Sequence, residues 1–470
     1  MPVTVPADKL FASHIGVFGN TGSGKSNTLC RLYTDFLALR ENPGGTRNRF
    51  VVIDFNGEYV GRQVLTPDKT TYELSTRKGG GDRIPVPSDF YFDVDTWAML
   101  SQATDRTHRP LLRRLVSVAS AISQASDKPA YVAGMLKRLF RGYFGKPLKF
   151  IEQKDDIAHL LAMIVKGKTK EHVERSVYDA LDPIGIHSGG SATKLHIKET
   201  SEYLNSADEA DGFFRCVHGL EKDFGAFLVD STRLLEFAAW FVFVERYRDG
   251  YIVREHVTPW LNRYTSQLRE ASKLYEVIPW YSDEEWPPVA VVSLLDVNQE
   301  QKKVVPLVVA KTLYQGQKLR GRDDERSSTH LIVDEAHNIL SYSSQRESED
   351  WRDYRLETFE EIVKEGRKFG MYLTVCSQRP ADISPTIISQ MHNYFIHRLV
   401  NDEDLRAIGK AVAFIDAANM SMVPVLPQGC CIASGTAFSY PVRVQVDMLE
   451  RERQPMSFDR NLLAALLDQG

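Results

Sequence analysis

Short apolar runs closed by turn residues open the chain. His14–Gly19 (HIGVFG) and Phe50–Asp54 (FVVID) lack polar alternation, which is the pattern of strands buried on both faces of a parallel sheet. Between them, Ser26–Glu41 repeats its apolar positions at helical spacing. Strand, glycine-rich turn, helix, strand predicts a βαβ unit. From about Thr96 to Pro288 the pattern becomes amphipathic helix, with apolar residues at i, i+3 and i+4 in Leu111–Ala121, Ala130–Phe144, Asp155–Val165 and Thr232–Tyr247. Strand-like runs return at Val289–Asp296, His330–Asp334 and Tyr372–Ser377, with helical stretches at Gln299–Gln317 and Leu356–Phe369. Cys430–Ser434 and Tyr440–Val446 flank a glycine-containing turn and predict a terminal hairpin. The expected organisation is an α/β core with a mostly parallel sheet in two parts, residues 1–95 and 289–450. A large α-helical insertion occupies 96–288 and a tail 451–470.

Composition changes this picture in three places. With 43 % hydrophobic and 26 % charged residues over 470 positions, general disorder is excluded. The net charge of −4 does not advertise a polyanion partner, so any nucleic-acid surface has to be local. One local excess exists: residues 101–150 hold ten Lys/Arg against two Asp/Glu. It reads either as a solvated helix face or as a contact surface for an anionic polymer. Five cysteines without metal-type spacing point to reduced thiols and a cytoplasmic setting. The start MPVTVPADKL carries neither a basic nor an apolar signal region. The most apolar helical run, Leu234–Val244, contains Glu236 and falls short of the ~20 residues that span a bilayer, so no membrane partner is expected.

The chemistry starts at GNTGSGKS, where Gly19, Gly24, Lys25 and Ser26 stand at phosphate-loop spacing between an apolar strand and a helix. The nucleotide-contact set is Gly19, Asn20, Thr21, Gly22, Ser23, Gly24, Lys25, Ser26 and Asn27. Glycines let backbone N–H groups converge on phosphates, and the helix end adds a favourable field. Lys25 supplies charge to the phosphates of ATP, and Ser26 a hydroxyl to Mg²⁺. In THLIVDEAH an apolar strand delivers Asp334 and Glu335 to its C-terminal end, the ligand edge of open α/β sheets. Asp334 is expected to hold Mg²⁺ through water and Glu335 to polarise the attacking water. The letters DEAH also occur in a large helicase superfamily. That assignment fails because the acidic motif comes too far beyond Lys25 and no late arginine-rich QxxGRxGR motif follows. His337 reads either as a structural or surface residue or as a coupling one. In EGRKFGMYLTVCSQRPADI, Gln378 ends a strand, where it either senses phosphate and orients water or caps the strand. Arg367 is either a solvated helix residue or a finger reaching a neighbouring subunit's site.

Together these strings resemble the HerA family of DNA-translocating ATPases, within the FtsK–HerA class. The matching pieces are HIGVFGNTGSGKSNT, VVIDFNGEY, HLIVDEAH, EGRKFG, SQRPADISPTIISQ and PQGCCIASG followed by YPVRV. They cover roughly half the chain, in family order. The resemblance implies a RecA-like P-loop core, a ring that is usually a hexamer with ATP at subunit interfaces, and double-stranded DNA threaded through the channel. It makes Lys25 and Ser26 the phosphate-loop pair, Asp334 and Glu335 the acidic pair, Gln378 the sensor and Arg367 the trans arginine. Asp54 and Glu58 of DFNGEY become site neighbours. Asn56 stands where the family often has histidine, so a turn role for Glu58 is an equal reading. The family usually carries a small β-barrel ahead of its phosphate loop. Here Lys25 follows only 24 residues, so a chain lacking that barrel, or a shortened one, is expected.

Two functions follow from this reading. One is an ATP-driven translocase or helicase serving a separate nuclease, or an NAD-cleaving effector, in DNA end processing or phage defence. The other is an ATP-binding oligomeric scaffold that gates such an effector without sustained movement. The chain contains no nuclease signature of its own. Lys302, Lys303 and Arg346 follow core strands and are the candidate DNA contacts, each also readable as a plain surface charge.

Overall fold

The computed structural model describes residues 3–39, 48–77, 79–165, 170–189, 192–197, 202–204, 230–278, 286–324, 326–342, 349–412 and 415–456. The chain divides into two units, 1–86 with 273–470, and 87–272. These boundaries fall earlier than the 96 and 288 expected from texture.

The first unit is built on a nine-stranded sheet. Its strands are β1 (Ile15–Phe18), β2 (Asn48–Asp54), β3 (Thr70–Ser75), β9 (Val289–Asp296), β10 (Ser328–Val333), β11 (Met371–Ser377), β12 (Asn393–Ile396), β13 (Cys430–Gly435) and β14 (Val442–Gln445). They lie in the order β14-β13-β12-β1-β11-β10-β2-β9-β3. Every pairing from β12 to β3 is parallel, and the β12–β13 and β13–β14 pairings are antiparallel. This is a RecA-like P-loop NTPase sheet in which β11 separates the phosphate-loop strand β1 from the acidic strand β10. A small second sheet pairs β4 (Ile84–Pro87) with β8 (Tyr275–Ile278).

Register decides which residues meet at the ligand edge. Ile53 is level with Val333, and Val333 with Val375. Phe18 is level with Ser377. Parallel strands all leave the sheet at one edge, so Gly19, Asp54, Asp334 and Gln378 emerge side by side. The helix Lys25–Ala38 holds the loop against the sheet by burying Leu29, Cys30 and Tyr33. Tyr33 also shares a 2.6 Å hydrogen bond with Thr374 of β11 and packs edge-on to Phe50. Four cysteines, Cys30, Cys376, Cys430 and Cys431, are free and buried; Cys216 lies outside the described residues.

Two strands of this sheet, β3 and β12, are absent from the sequence reading. Asn-Tyr-Phe-Ile in β12 is too short to show a period, and Thr70–Ser75 alternates only weakly. The helix expected at Gln299–Gln317 runs to Asp323 with Pro306 inside it. The helix expected at Leu356–Phe369 is Glu349–Glu365 followed by a 3₁₀ turn, Gly366–Phe369.

The second unit is mostly helical but not wholly so. β5 (Ile184–Gly189), β6 (Ala192–Ile197) and β7 (Glu202–Leu204) form an antiparallel sheet within it, which the helical texture of the sequence did not show. Helix Ser231–Arg248 is apolar nearly all round, as a central helix must be. Its neighbour His108–Gln124 buries Leu112, Leu115, Ala119 and Ile122. The local basic excess is partly neutralised by carboxylates from outside the 101–150 window: Arg109 pairs with Asp95 (3.2 Å), Arg114 with Glu245 (3.5 Å), Lys146 with Asp249 (3.1 Å) and Lys149 with Glu152 (2.7 Å). Among the described residues no helix is long and apolar enough to cross a membrane.

Candidate active site

The loop Gly19–Ser26 has the backbone its chemistry requires. Gly24 caps the following helix at φ 105°, a region that side chains avoid. A Cβ there would also lie 2.9 Å from the Gly429 Cα, and one at Gly19 would lie 2.5 Å from the His397 Cβ. The close approach is held by Gly429, whose N–H donates to the Ser23 carbonyl at 2.9 Å. Lys25 is 6 % exposed and donates to the Asn20 carbonyl at 3.0 Å. The lysine is thus braced inside its own loop. Asn27 uses its side chain elsewhere: its amide donates to the Asp447 carbonyl (3.2 Å) and accepts from Leu449 N–H (3.2 Å). Only its backbone is free to face a phosphate.

Asp334 and Glu335 emerge beside this loop. Asp334 is 3 % exposed. It accepts from Glu335 N–H (2.9 Å) and lies beside the Cys376 thiol of β11. Burial, with Glu58 and Glu335 close by, pushes its carboxyl up to about 7. Glu335 sits at φ 45°, left-handed for a non-glycine residue. The cost of roughly 1 kcal/mol or more for such a conformation is tolerated where a site needs the side chain re-aimed. Its Oε2 is enclosed without a hydrogen bond, although His337 Nδ1 approaches it to 3.3 Å out of line. His337 also lies 3.4 Å from Ser377 Oγ. It is therefore a neighbour of the acidic pair, where the sequence left a structural or surface reading and a coupling one open.

Gln378, just past β11, accepts from the Thr21 hydroxyl at 2.6 Å. The strand between the phosphate loop and the acidic pair is thereby tied to the loop through a side chain. Arg367 lies in the 3₁₀ turn before β11, at the opposite edge of the sheet. Seven strand residues at ~3.3 Å each separate the two edges, so this guanidinium cannot reach the phosphate loop of its own chain. Lys302 and Lys303 are the fourth and fifth residues of helix Gln299–Asp323, half-buried on the ligand edge. Arg346 lies outside the described residues.

Asp54 does not point to a ligand. Its two oxygens accept from four backbone N–H groups, those of Asn56 (3.2 Å), Gly57 (2.8 Å), Glu58 (3.0 Å) and Tyr59 (2.8 Å). It builds the turn that presents Glu58. The Glu58 carboxylate lies near Ser26 and Asn56, and its Oε2 is enclosed without a partner. Burial, with Asp54 and Glu335 near, raises its carboxyl. Ser26, Asp334 and the open oxygens of Glu58 and Glu335 are hard oxygen donors around one end of the phosphate loop, a set that fits Mg²⁺.

Sequence reasoning missed His397. Nothing in HRLVN marks it, because its role comes from β12 lying beside β1. The ring is fully buried behind Gly19, and neither nitrogen makes a hydrogen bond. Burial and the Lys25 charge hold it down to about 4; burial and its neighbour His392 hold His14 down to about 3. An unfolded histidine titrates near 6.5. Between about pH 4 and 6.5 the unfolded chain takes up protons that both folded rings refuse, so stability rises with pH through that window and is fully present above it. Replacing His397 with glutamine is expected to shrink the loss of stability between pH 7 and 4 by about 2–3 kcal/mol, read by urea unfolding at both pH values. An unchanged difference would mean that His397 is not held neutral.

Residues 1–99 match the family model described as "Helicase HerA, central domain". A probable DNA double-strand break repair helicase HerA from Methanocaldococcus jannaschii is 31 % identical over 26 % of this chain and 22 % of its own length. The corresponding helicase of Pyrococcus furiosus is 34 % identical over 25 % and 20 %, and that of Saccharolobus solfataricus 27 % identical over 34 % and 32 %. The match thus spans between a fifth and a third of each relative. Among solved structures, the bacterial conjugative coupling protein TrwBdeltaN70 overlaps 96 % of this chain and 88 % of its own (TM-score 0.44, 12 % identity). VirB4 of Thermoanaerobacter pseudethanolicus overlaps 94 % and 91 % (TM-score 0.44, 15 % identity). At those scores the overlap carries no argument beyond the strand order already described. The central-domain match over residues 1–99, and the recurrence of HerA helicases among relatives near 30 % identity, make the phosphate-loop part of this chain similar to the HerA family of P-loop NTPases.

Proposed function

We propose that this chain is the subunit of an ATP-hydrolysing ring, hexameric in the reading its sequence suggests, that moves along double-stranded DNA in the cytoplasm. One observation carries the proposal: Lys25 and Ser26, Asp334 and Glu335 leave one sheet edge together, with Gln378 on the intervening strand bonded to Thr21. In this reading Lys25 grips the phosphates of ATP, and Ser26 and Asp334 hold Mg²⁺, which supplies charge neutralisation when bound. Glu335 draws a proton from the attacking water. Gln378 and β11 carry the state of the phosphate loop into the sheet. Arg367, too distant from its own loop, serves the neighbouring subunit's site. Lys302 and Lys303 contact the DNA backbone, and Arg346 is a further candidate from the sequence. The DNA substrate is supported by the repair-helicase names of the relatives. A separate nuclease or effector chain, in end processing or phage defence, would do the cutting.

Two measurements test this. ATP turnover should rise several-fold on adding long double-stranded DNA and fall back with salt, because phosphate contacts release counterions. No stimulation would favour the scaffold. Mixing inactive Arg367→Ala subunits with inactive Glu335→Gln subunits should restore part of the turnover, since a mixed interface can hold one intact set. Absence of any rescue would remove the trans role.

A further inference from the structure

We propose that Arg398 is a second phosphate-binding cation of the nucleotide site, placed beside the start of the phosphate loop to grip the terminal phosphate of ATP. This rests on the nucleotide reading of the loop and adds a residue to it. Strand register brings Arg398 there. Phe18 of β1 is level with Ile396 of β12, and the pairing runs on past both strand ends. His397 N–H donates to the Phe18 carbonyl at 2.7 Å, and Asn20 N–H to the Arg398 carbonyl at 2.8 Å. The Asn20 carbonyl in turn accepts from Lys25 Nζ at 3.0 Å. One loop residue is thus bracketed by the backbone of Arg398 and the ammonium of Lys25. In a phosphate loop the lysine reaches the β- and γ-phosphates. The end of the loop that Lys25 touches, and Arg398 with it, is therefore the terminal-phosphate end.

The side chain is available for this. Burial alternates along the segment: His397 and Leu399 are buried, Arg398 and Val400 exposed. His397 fills the space beside the loop glycines, since a Cβ at Gly19 would lie 2.5 Å from its Cβ and one at Gly24 3.7 Å from its Cε1. Period-two geometry then sends Arg398 outward. Among the described residues its guanidinium has no ion pair and no hydrogen bond. Arg379, which follows Gln378 on the other flank of the loop, leans instead towards Asp382 at 3.9 Å. Strand order also separates the charges. β11 and β10 lie on one side of β1 and β12 on the other, so Asp334 and Glu335 collect on one flank and Arg398 stands on the far one. Lys25 and one divalent cation leave part of a triphosphate's charge uncompensated, and a guanidinium meets two phosphate oxygens at once. No motif spacing in HRLVN marks this arginine; the adjacency of β12 to β1 brings it to the loop.

The test is the affinity of the full chain for ATPγS and for ADP, each titrated calorimetrically with Mg²⁺ present. Arg398→Ala is expected to weaken ATPγS binding by about tenfold or more, the worth of one charge-assisted contact. ADP lacks the terminal phosphate, so its binding should weaken by less than about threefold. The substitution leaves the anchor of Asn20 in place, because that bond uses the Arg398 carbonyl. Arg398→Lys keeps the charge without the fork and should fall between wild type and alanine; it carries the test if the alanine variant does not fold. Arg406→Ala removes an exposed arginine on helix Asp402–Ala411 and should change neither affinity by more than about twofold, since exposed charges are screened. Equal losses for ATPγS and ADP would make Arg398 a support of the loop's shape. Losses matched by Arg406→Ala would make it one surface charge among others, and an unmoved ATPγS affinity would leave it no part in binding. Each of these overturns the assignment while the phosphate-loop reading stands. A wild-type chain that bound neither nucleotide would overturn that reading and this role with it.

Discussion

Replacing Lys25 with alanine should lower nucleotide affinity by about 10²–10⁴-fold, enough to remove binding at micromolar concentrations. The number follows from losing two charge-assisted hydrogen bonds to phosphate oxygens at about 1.5–3 kcal/mol each, in a loop where water replaces them poorly. The fold should tolerate the change. Lys25 has one recorded hydrogen bond, to the Asn20 carbonyl, and the loop is held independently by Gly429 and by the packing of Gly19 on His397. A second consequence belongs to this structure in particular. The Lys25 charge helps keep His397 neutral, so the alanine variant should titrate His397 at a higher pH and lose less stability between pH 7 and 4 than the wild type. Isothermal titration with ATP checks the first effect and urea melts between pH 4 and 7 the second. Near-normal affinity in the variant would mean that the loop does not grip phosphate through this lysine.

Glu335→Gln should leave binding intact and cut turnover by about 10²–10⁴-fold, the usual contribution of a positioned base. Glutamine keeps the size and the left-handed backbone of the residue, so the acidic turn should hold its shape. It loses the carboxylate that stands unpaired at Oε2 with His337 3.3 Å away. Bound ATP should therefore remain unhydrolysed on the protein after rapid gel filtration, and Asp334→Asn should differ by weakening Mg²⁺-dependent binding as well. Turnover at the wild-type rate in Glu335→Gln would move the proton-accepting role to another carboxylate.

The residues that announced themselves are those whose chemistry is local. A phosphate loop needs its glycines, lysine and serine within eight positions, because backbone N–H groups of one turn must converge on one anion. GNTGSGKS was readable for that reason, and so was Asp334–Glu335 at the end of an all-apolar run. Glu58 was half-legible. DFNGEY carried the carboxylates, but only the observed turn separates Asp54, spent on four N–H groups, from Glu58, whose Oε2 is enclosed without a partner. His397 and Cys376 gave no local signal.

By itself, then, the sequence determined the parallel α/β core, the loop that opens it, the acidic pair that answers it and the family resemblance, all from periods of two and 3.6 residues and from short motifs. Tertiary structure alone decided which strands are neighbours. Placing β11 between β1 and β10 brought Gln378 to Thr21 and the Cys376 thiol to Asp334; placing β12 beside β1 put a neutral histidine beneath the loop. Strand order pairs residues hundreds of positions apart through hydrogen bonds that carry no sequence code, and burial then shifts a titration or leaves an oxygen unpaired. Hydrophobic pattern can say that a strand is buried, and only the assembled sheet can say beside what.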